Sequence, residues 1–164
     1  MAFSVLDWKK NEVVFVAGVL FLVLGVSVGQ MQIGQSKARD QQRKADTEVV
    51  ARALEAYYED YDILPPATAD GEIVSCGRDA AYECDWGGGE EMQDSEGVAY
   101  LKRMPADPQN SMKGWRYVYE VNRTRNRFRV YARLENGRDP DGRANLTREC
   151  GESVQCTWYV GNWE

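Results

Sequence analysis

The sequence predicts an α+β fold: a long N-terminal helix, half transmembrane and half amphipathic, packed against a small antiparallel β-sheet. Three observations predict it. No proline lies between residues 1 and 64, and Val13 to Gly29 is a 17-residue run whose only polar side chain is Ser27. Ala45, Val49, Val50, Ala53, Leu54, Tyr57, Tyr58 and Tyr61 then recur at three- and four-residue steps, the period of one helix face. Further on, Trp115–Val121 and Phe128–Glu135 alternate with period two and are rich in aromatic and β-branched residues, the signature of half-buried strands.

Taken in order, residues 1–11 form a short leader, residues 12–34 the transmembrane half of the helix and residues 35–61 its amphipathic half. The apolar run alone sits at the lower limit for crossing a bilayer, and Met31 and Ile33 extend it to an adequate length. On the amphipathic half Asp40, Lys44, Glu48 and Arg52 alternate in sign every four residues and read as an exposed polar side. Pro65-Pro66 marks the stop, because proline lacks an amide and clashes with the preceding turn. About 50 helical residues at 1.5 Å each give a length of roughly 75 Å. Because the helical pattern runs unbroken past Gly29, the apolar run reads as a retained anchor and not a cleaved signal peptide.

Residues 62–164 form the globular part. Residues 62–113 read as a mostly irregular connection with a short helix over Glu96–Arg103. Gly87-Gly88-Gly89 is followed by two glutamates and not by Gly-Lys-Ser/Thr, so it is not a phosphate cradle. Asn122–Asn126 is a hairpin loop between the two strands, Asn136–Arg143 is a turn-rich loop, and Cys156–Trp163 is a third strand. The hairpin needs an apolar partner, and the Val49–Tyr61 stripe is the only sizeable one, so the sheet is expected to pack on it.

The net charge of −6 lies wholly beyond residue 34, which argues against nucleic acid as a partner. The chain has no histidine, the commonest general base and metal ligand, and no nucleophile motif, so it reads as a protein that is not an enzyme. Four cysteines follow the apolar run: Cys76, Cys84, Cys150 and Cys156. Their spacing is not that of a zinc knuckle, and an even count reads as two disulfides with three open connectivities, the local pairs Cys76–Cys84 and Cys150–Cys156 being preferred. Disulfides imply an oxidising compartment. Lys37, Arg39, Arg43 and Lys44 after the span outnumber Lys9 and Lys10 before it, but the positive-inside rule weakens for long translocated regions. The cysteines therefore set the expected orientation: a single-pass membrane protein, N-terminus cytoplasmic, C-terminal domain extracytoplasmic.

Ser36-Lys-Ala-Arg-Asp-Gln-Gln-Arg-Lys-Ala-Asp, leading through Ala53-Leu-Glu-Ala-Tyr-Tyr-Glu-Asp-Tyr-Asp-Ile-Leu-Pro-Pro, resembles the type IV pilin and type II secretion pseudopilin superfamily. Leu101-Lys-Arg-Met-Pro-Ala-Asp-Pro is similar to the family's element before its first strand. Ala2–Asp7 imitates the family's leader junction with aspartate in place of glutamate; alternatively Glu12, directly before Val13, takes the glutamate's place in an uncleaved chain. The resemblance implies a pilin-like fold and a filament subunit. Its partners would be further copies or other pilin-like subunits, an inner-membrane assembly machinery and membrane lipid, and assembled filaments would stand at the cell surface. The runner-up reading is a single-span anchored extracytoplasmic binding module that does not polymerise.

Several residues stand out as candidate sites. The resemblance implies that Glu12 pairs with a neighbouring subunit's terminal amine and fixes register; it also fits an ordinary first-turn glutamate at the headgroup level. Gly25 and Gly29 fit the small-xxx-small pattern of packed membrane helices. No cofactor is expected, although Asp139 and Asp141 offer hard oxygen ligands for calcium, as in some pseudopilins, or else belong to a solvated turn. Asn122 and Asn145 open glycosylation sequons, a short pattern that also arises by chance.

Overall fold

The computed structural model describes residues 10–77 and 80–163. The leader element Ala2–Asp7 therefore lies outside the described residues. The elements in chain order are α1 (Lys10–Tyr61), β1 (Ile73–Cys76), β2 (Tyr82–Cys84), β3 (Met92–Gln93), β4 (Ala99–Leu101), α2 (Asn110–Lys113), β5 (Val118–Val121), β6 (Phe128–Ala132) and β7 (Trp158–Val160). The α+β class expected from the sequence is the one observed. The chain divides into two compact units, one ending at Ala38 and one beginning at Arg39.

In the first unit α1 exposes its apolar side chains, and within α1 Ser27 Oγ returns its hydrogen bond to the carbonyl of Val23 one turn back, so its hydroxyl does not break the run. In the second unit, α1 ends at Tyr61 because Asp62 turns into the left-handed region at φ 53° while its amide still donates to the Tyr58 carbonyl. The stop thus precedes Pro65-Pro66 by three residues.

Two antiparallel sheets cover the second half of α1. One has the order β2-β1-β3-β4 and the other β5-β6-β7. The first corrects the expectation of an irregular 62–113 segment, and β4 replaces the helix expected over Glu96–Arg103. The reason is a tight turn after β3. The Asp94 carboxylate accepts from the amides of Glu96 and Val98, the Asp94 amide donates to the Val98 carbonyl, and Gly97 takes φ 85°. Such a side-chain-capped turn closes a hairpin instead of starting a helix. The two sheets meet at Gly71 (φ 87°), whose carbonyl accepts from the Tyr119 amide and from Trp86 Nε1. A β-carbon there would overlap Val118 Cγ1, and the positive φ disfavours any other residue, so glycine allows the approach.

The core joins Val50, Ala53 and Leu54 of α1 to Tyr119, Phe128, Val130 and Ala132 of the second sheet, to Tyr117 just before it, and to Ile73, Met92 and Met104 from the first sheet and the chain that follows it. The sheet packs on α1 as expected, through Val50, Ala53 and Leu54 with Tyr57 and Tyr58 against them, but the stripe's ends differ: Val49 and Tyr61 are exposed, as is Ala45 before them, and the buried face continues towards the N-terminus through Thr47, Arg43 and Asp40. Asp40 and Lys44 are accordingly not part of a solvated polar side; only Glu48 and Arg52 of that series are exposed. The outer face of β5-β6-β7 is covered as well. Val118 and Tyr131 pack with Cys150 and Cys156, with Leu146 and Tyr159 at the edge. Strands are shorter than their alternating patterns: Trp115 precedes β5, and β7 covers only the middle of Cys156–Trp163.

Candidate functional site: an apolar helix surface and a buried charge cluster

Two features of α1 are candidates. The first lies between Glu12 and Ile33. Every valine, leucine and phenylalanine described there is at least 40% exposed, and Phe21 reaches 79%. Burying side chains of this size is ordinarily worth about 1.5–3 kcal/mol each, so a run of them facing water would be very costly. α1 is long and apolar enough to cross a membrane, which is consistent with a single-pass membrane protein. Glu12 is exposed in the first turn, where the helix dipole favours a carboxylate. A β-carbon added at Gly25 would meet no atom within 4 Å, so the small-residue surface is open there. The surroundings of Gly29 lie outside the described residues.

The second feature is a cluster that sequence reasoning missed, centred on Arg43, whose side chain is completely buried. Its Nε and Nη2 donate to Asp107 Oδ2 and Oδ1 at 2.8 and 3.0 Å, a bidentate fork. Its Nη1 donates to Asp40 Oδ1 and to Glu135 Oε1, both at 2.8 Å. Arg39 adds a second fork onto Glu135 at 2.6 Å through each nitrogen. Asp40, one turn before Arg43 on the same face of α1, also accepts from the backbone amides of Glu135 and Asn136 at 2.8 Å each. The Arg43 guanidinium further lies 5.1 Å from the ring centre of Trp115, whose ring also has Lys113 Nζ at 4.7 Å.

Electrostatics follow from the geometry. Burial opposes the charge on Arg43, but the bonds to Asp107, Glu135 and Asp40 outweigh it and hold its pKa above the ordinary arginine value. Glu135 is pulled down to about 2, first by the Arg39 hydrogen bond, against burial, and then by Arg43. Nearby, Asp46 accepts the Tyr117 hydroxyl at 2.8 Å; burial raises the pKa of the carboxyl and, with the Asp46 bond, that of the phenol. The cluster holds no nucleophile and no open carboxylate pair. Its chemistry is attachment: it ties α1 to the β4–α2 connection through Asp107 and to the end of β6 through Glu135.

The remaining predicted residues fall elsewhere. Asp139 and Asp141 both accept from Lys44 Nζ at 2.7 Å. A fixed ammonium takes the position between the two carboxylates, and Lys44 lowers the pKa of Asp139. Cys76 is bonded to Cys84 and Cys150 to Cys156. Asn122 uses its amide within the hairpin loop: Nδ2 donates to Thr124 Oγ1 and Asn126 Oδ1, and Oδ1 accepts from the amides of Asn126 and Arg127. Asn145 is exposed in the left-handed region at φ 71°. Arg43 and Asp107 did sit inside the two quoted runs, Ser36–Asp46 and Leu101–Pro108, so the signal was present; that they bond to each other, 64 residues apart, was not legible.

No protein-family model, curated protein or solved structure matches this chain.

Proposed function

We propose that this protein is a structural subunit of a membrane-assembled filament of the type IV pilus or type II secretion pseudopilus kind. The observation that carries the reading is that one helix changes role at Arg39. Before it, α1 offers exposed apolar side chains among its described residues; after it, α1 is built into a disulfide-bonded α+β body through Arg43. Helix–helix packing of the apolar halves, with small residues such as Gly25 at close contacts, would drive association, and Glu12 would fix register. The two disulfides support an extracytoplasmic body and a cytoplasmic N-terminus. Partners are further copies or other pilin-like subunits, the inner-membrane machinery that extracts them, and lipid before extraction.

Electron microscopy of cells expressing the chain together with its assembly machinery tests the proposal: filaments containing the chain are expected. A dispersed membrane monomer with that machinery intact would leave the anchored binding module as the better reading. Mass spectrometry of the mature amino terminus separates the same two readings, since a methylated Phe3 start belongs to a filament subunit and an intact Met1 or Ala2 start to an anchor.

A further inference from the structure

Charge in this chain is strongly segregated. Residues 45–112 carry four basic and sixteen acidic side chains, a net −12, whereas residues 113–148 carry ten basic and four acidic ones, a net +6. The fold turns this segregation into two patches. On α1, Glu48, Glu55 and Glu59 are all exposed and recur at seven and four residues, which places them on one stripe of the helix, and Asp62, just past its end, is exposed as well. Val49, 42% exposed, lies beside that stripe.

The second patch is at the edge of the outer face of β5-β6-β7, beside the part that Cys150 and Cys156 cover. The Arg129 guanidinium lies 4.7 Å from the ring centre of Tyr159 and 4.9 Å from that of Trp163, and Arg143 covers Tyr159 at 4.0 Å. Arg127, beside them at the start of β6, is exposed. Stacking and hydrogen bonds hold two of these groups in place: Arg129 donates through Nε to the Trp163 carbonyl and through Nη1 to the Tyr131 hydroxyl, and Arg143 donates through Nη1 to the Tyr159 hydroxyl, so the positive charge offered to a partner is that of the exposed Arg127 and Arg143.

The inner face of this sheet packs on α1. The two patches therefore look away from each other and do not neutralise one another within one chain. We infer that the acidic stripe of α1 in one copy docks on the arginine–tyrosine–tryptophan face of the C-terminal sheet in a second copy. This rests on the filament reading and names the contact between bodies. A patch that pairs with a different patch on the next copy is heterologous, and repeated contacts of that kind propagate instead of closing as a two-fold dimer. The attraction is between exposed charges, so it steers and selects more than it binds, and salt weakens it.

The test uses the full chain reconstituted in neutral phosphatidylcholine vesicles, with energy transfer between two labelled populations as the measure of association. Two double variants reverse one patch each: Glu55→Lys with Glu59→Lys, and Arg127→Glu with Arg143→Glu. Association of the unaltered chain is expected to weaken about tenfold between 50 and 500 mM salt, and each double variant alone to weaken it about tenfold at low salt. The chain carrying all four reversals is expected to regain association, because its patches are again complementary; a folding defect would not be cured this way. Association that neither reversal changes overturns this contact and leaves the filament reading standing. Losses that the fourfold variant does not restore also overturn it. An unaltered chain that does not associate at any salt also overturns this contact, while the filament reading stands or falls on the microscopy of cells that carry the assembly machinery.

Discussion

The two halves of α1 share one backbone and treat their side chains in opposite ways. Between Val13 and Ile33 the apolar residues are exposed, while from Asp40 to Leu54 the buried face begins with Asp40, Arg43 and Thr47 and only then becomes apolar at Val50 and Leu54. Hydropathy thus ranks the two halves in the reverse order of their burial. The difference teaches that apolar content states what a segment needs, and pairing decides what a segment can hide. A guanidinium is hidden here because three carboxylates and an indole ring complete its surroundings. The apolar half needs a medium other than water and has no such partners in its own unit.

The comparison breaks most visibly at Arg43. Arg43→Ala leaves Asp40, Asp107 and Glu135 without their shared cation, and breaking a buried ion pair in this manner costs about 3–5 kcal/mol. We expect urea denaturation of the body to shift by that amount. A shift under about 1 kcal/mol would mean that the cluster is not what ties α1 to the sheet. Arg43→Lys is expected to recover only part of the loss, because an ammonium cannot make the fork to Asp107.

The next effect concerns the covalent ties, which exist only on the second half's side of the comparison. Replacing Cys150 and Cys156 together by serine should cost on the order of 2–3 kcal/mol. The loss should be local, since the Cys150–Cys156 loop covers Val118 and Tyr131 on the face away from α1. Hydrogen exchange is expected to lose protection at Trp158–Val160 while Val50–Leu54 keeps it. Equal losses at both places would contradict the separation of the two core clusters.

Acid sharpens the contrast. Glu135 has its pKa lowered from 4.5 to about 2 by Arg39 and Arg43, so its contribution to stability is complete above pH 4.5 and is lost as the pH falls toward 2. Asp46 acts in the opposite sense: its raised pKa means that protonation favours the folded body, which offsets part of the loss. Urea titrations at pH 6 and pH 3 should show the body less stable at pH 3, with a smaller difference in Glu135→Gln. An unchanged difference would remove Glu135 from the acid response. The half before Arg39 has only Glu12 and Lys37 among its described charged groups after Lys10, neither in the Glu135 cluster, and its helicity should not follow this titration.

The smallest effect on the body comes from the other half. Leu20→Asn with Leu24→Asn should leave the body's thermal transition within about 0.5 kcal/mol, because both residues are more than half exposed and lie in the first unit. The same pair should reduce membrane retention in a fractionation assay. Body destabilisation comparable to that of Arg43→Ala would mean that the two halves do not behave as separate units.

Much of this architecture follows from local rules. The apolar run, the absence of proline before residue 65 and the period-two segments are properties of neighbours in sequence, and they determine the long helix, its apolar half and the β5–β6 hairpin. What the tertiary structure decided depends on partners far apart in the chain. The apolar part of the buried face of α1, Val50 to Tyr58, was legible, but its continuation through Asp40 and Arg43 was not, because Arg43 is hidden only by residues 64 and 92 positions away. The four-stranded sheet was illegible because its strands are two to four residues long, too short for a period to register, and the turn that makes β4 depends on the Asp94 side chain. The Asp139–Asp141 loop read as open oxygen ligands because Lys44, which occupies it, lies 95 residues away. Disulfide pairing had three possibilities until the chain path brought Cys76 to Cys84 and Cys150 to Cys156. Sequence alone determines where a helix or a hairpin forms, since those bonds close over a few residues; which charges are hidden is settled only when distant segments supply the counter-charge.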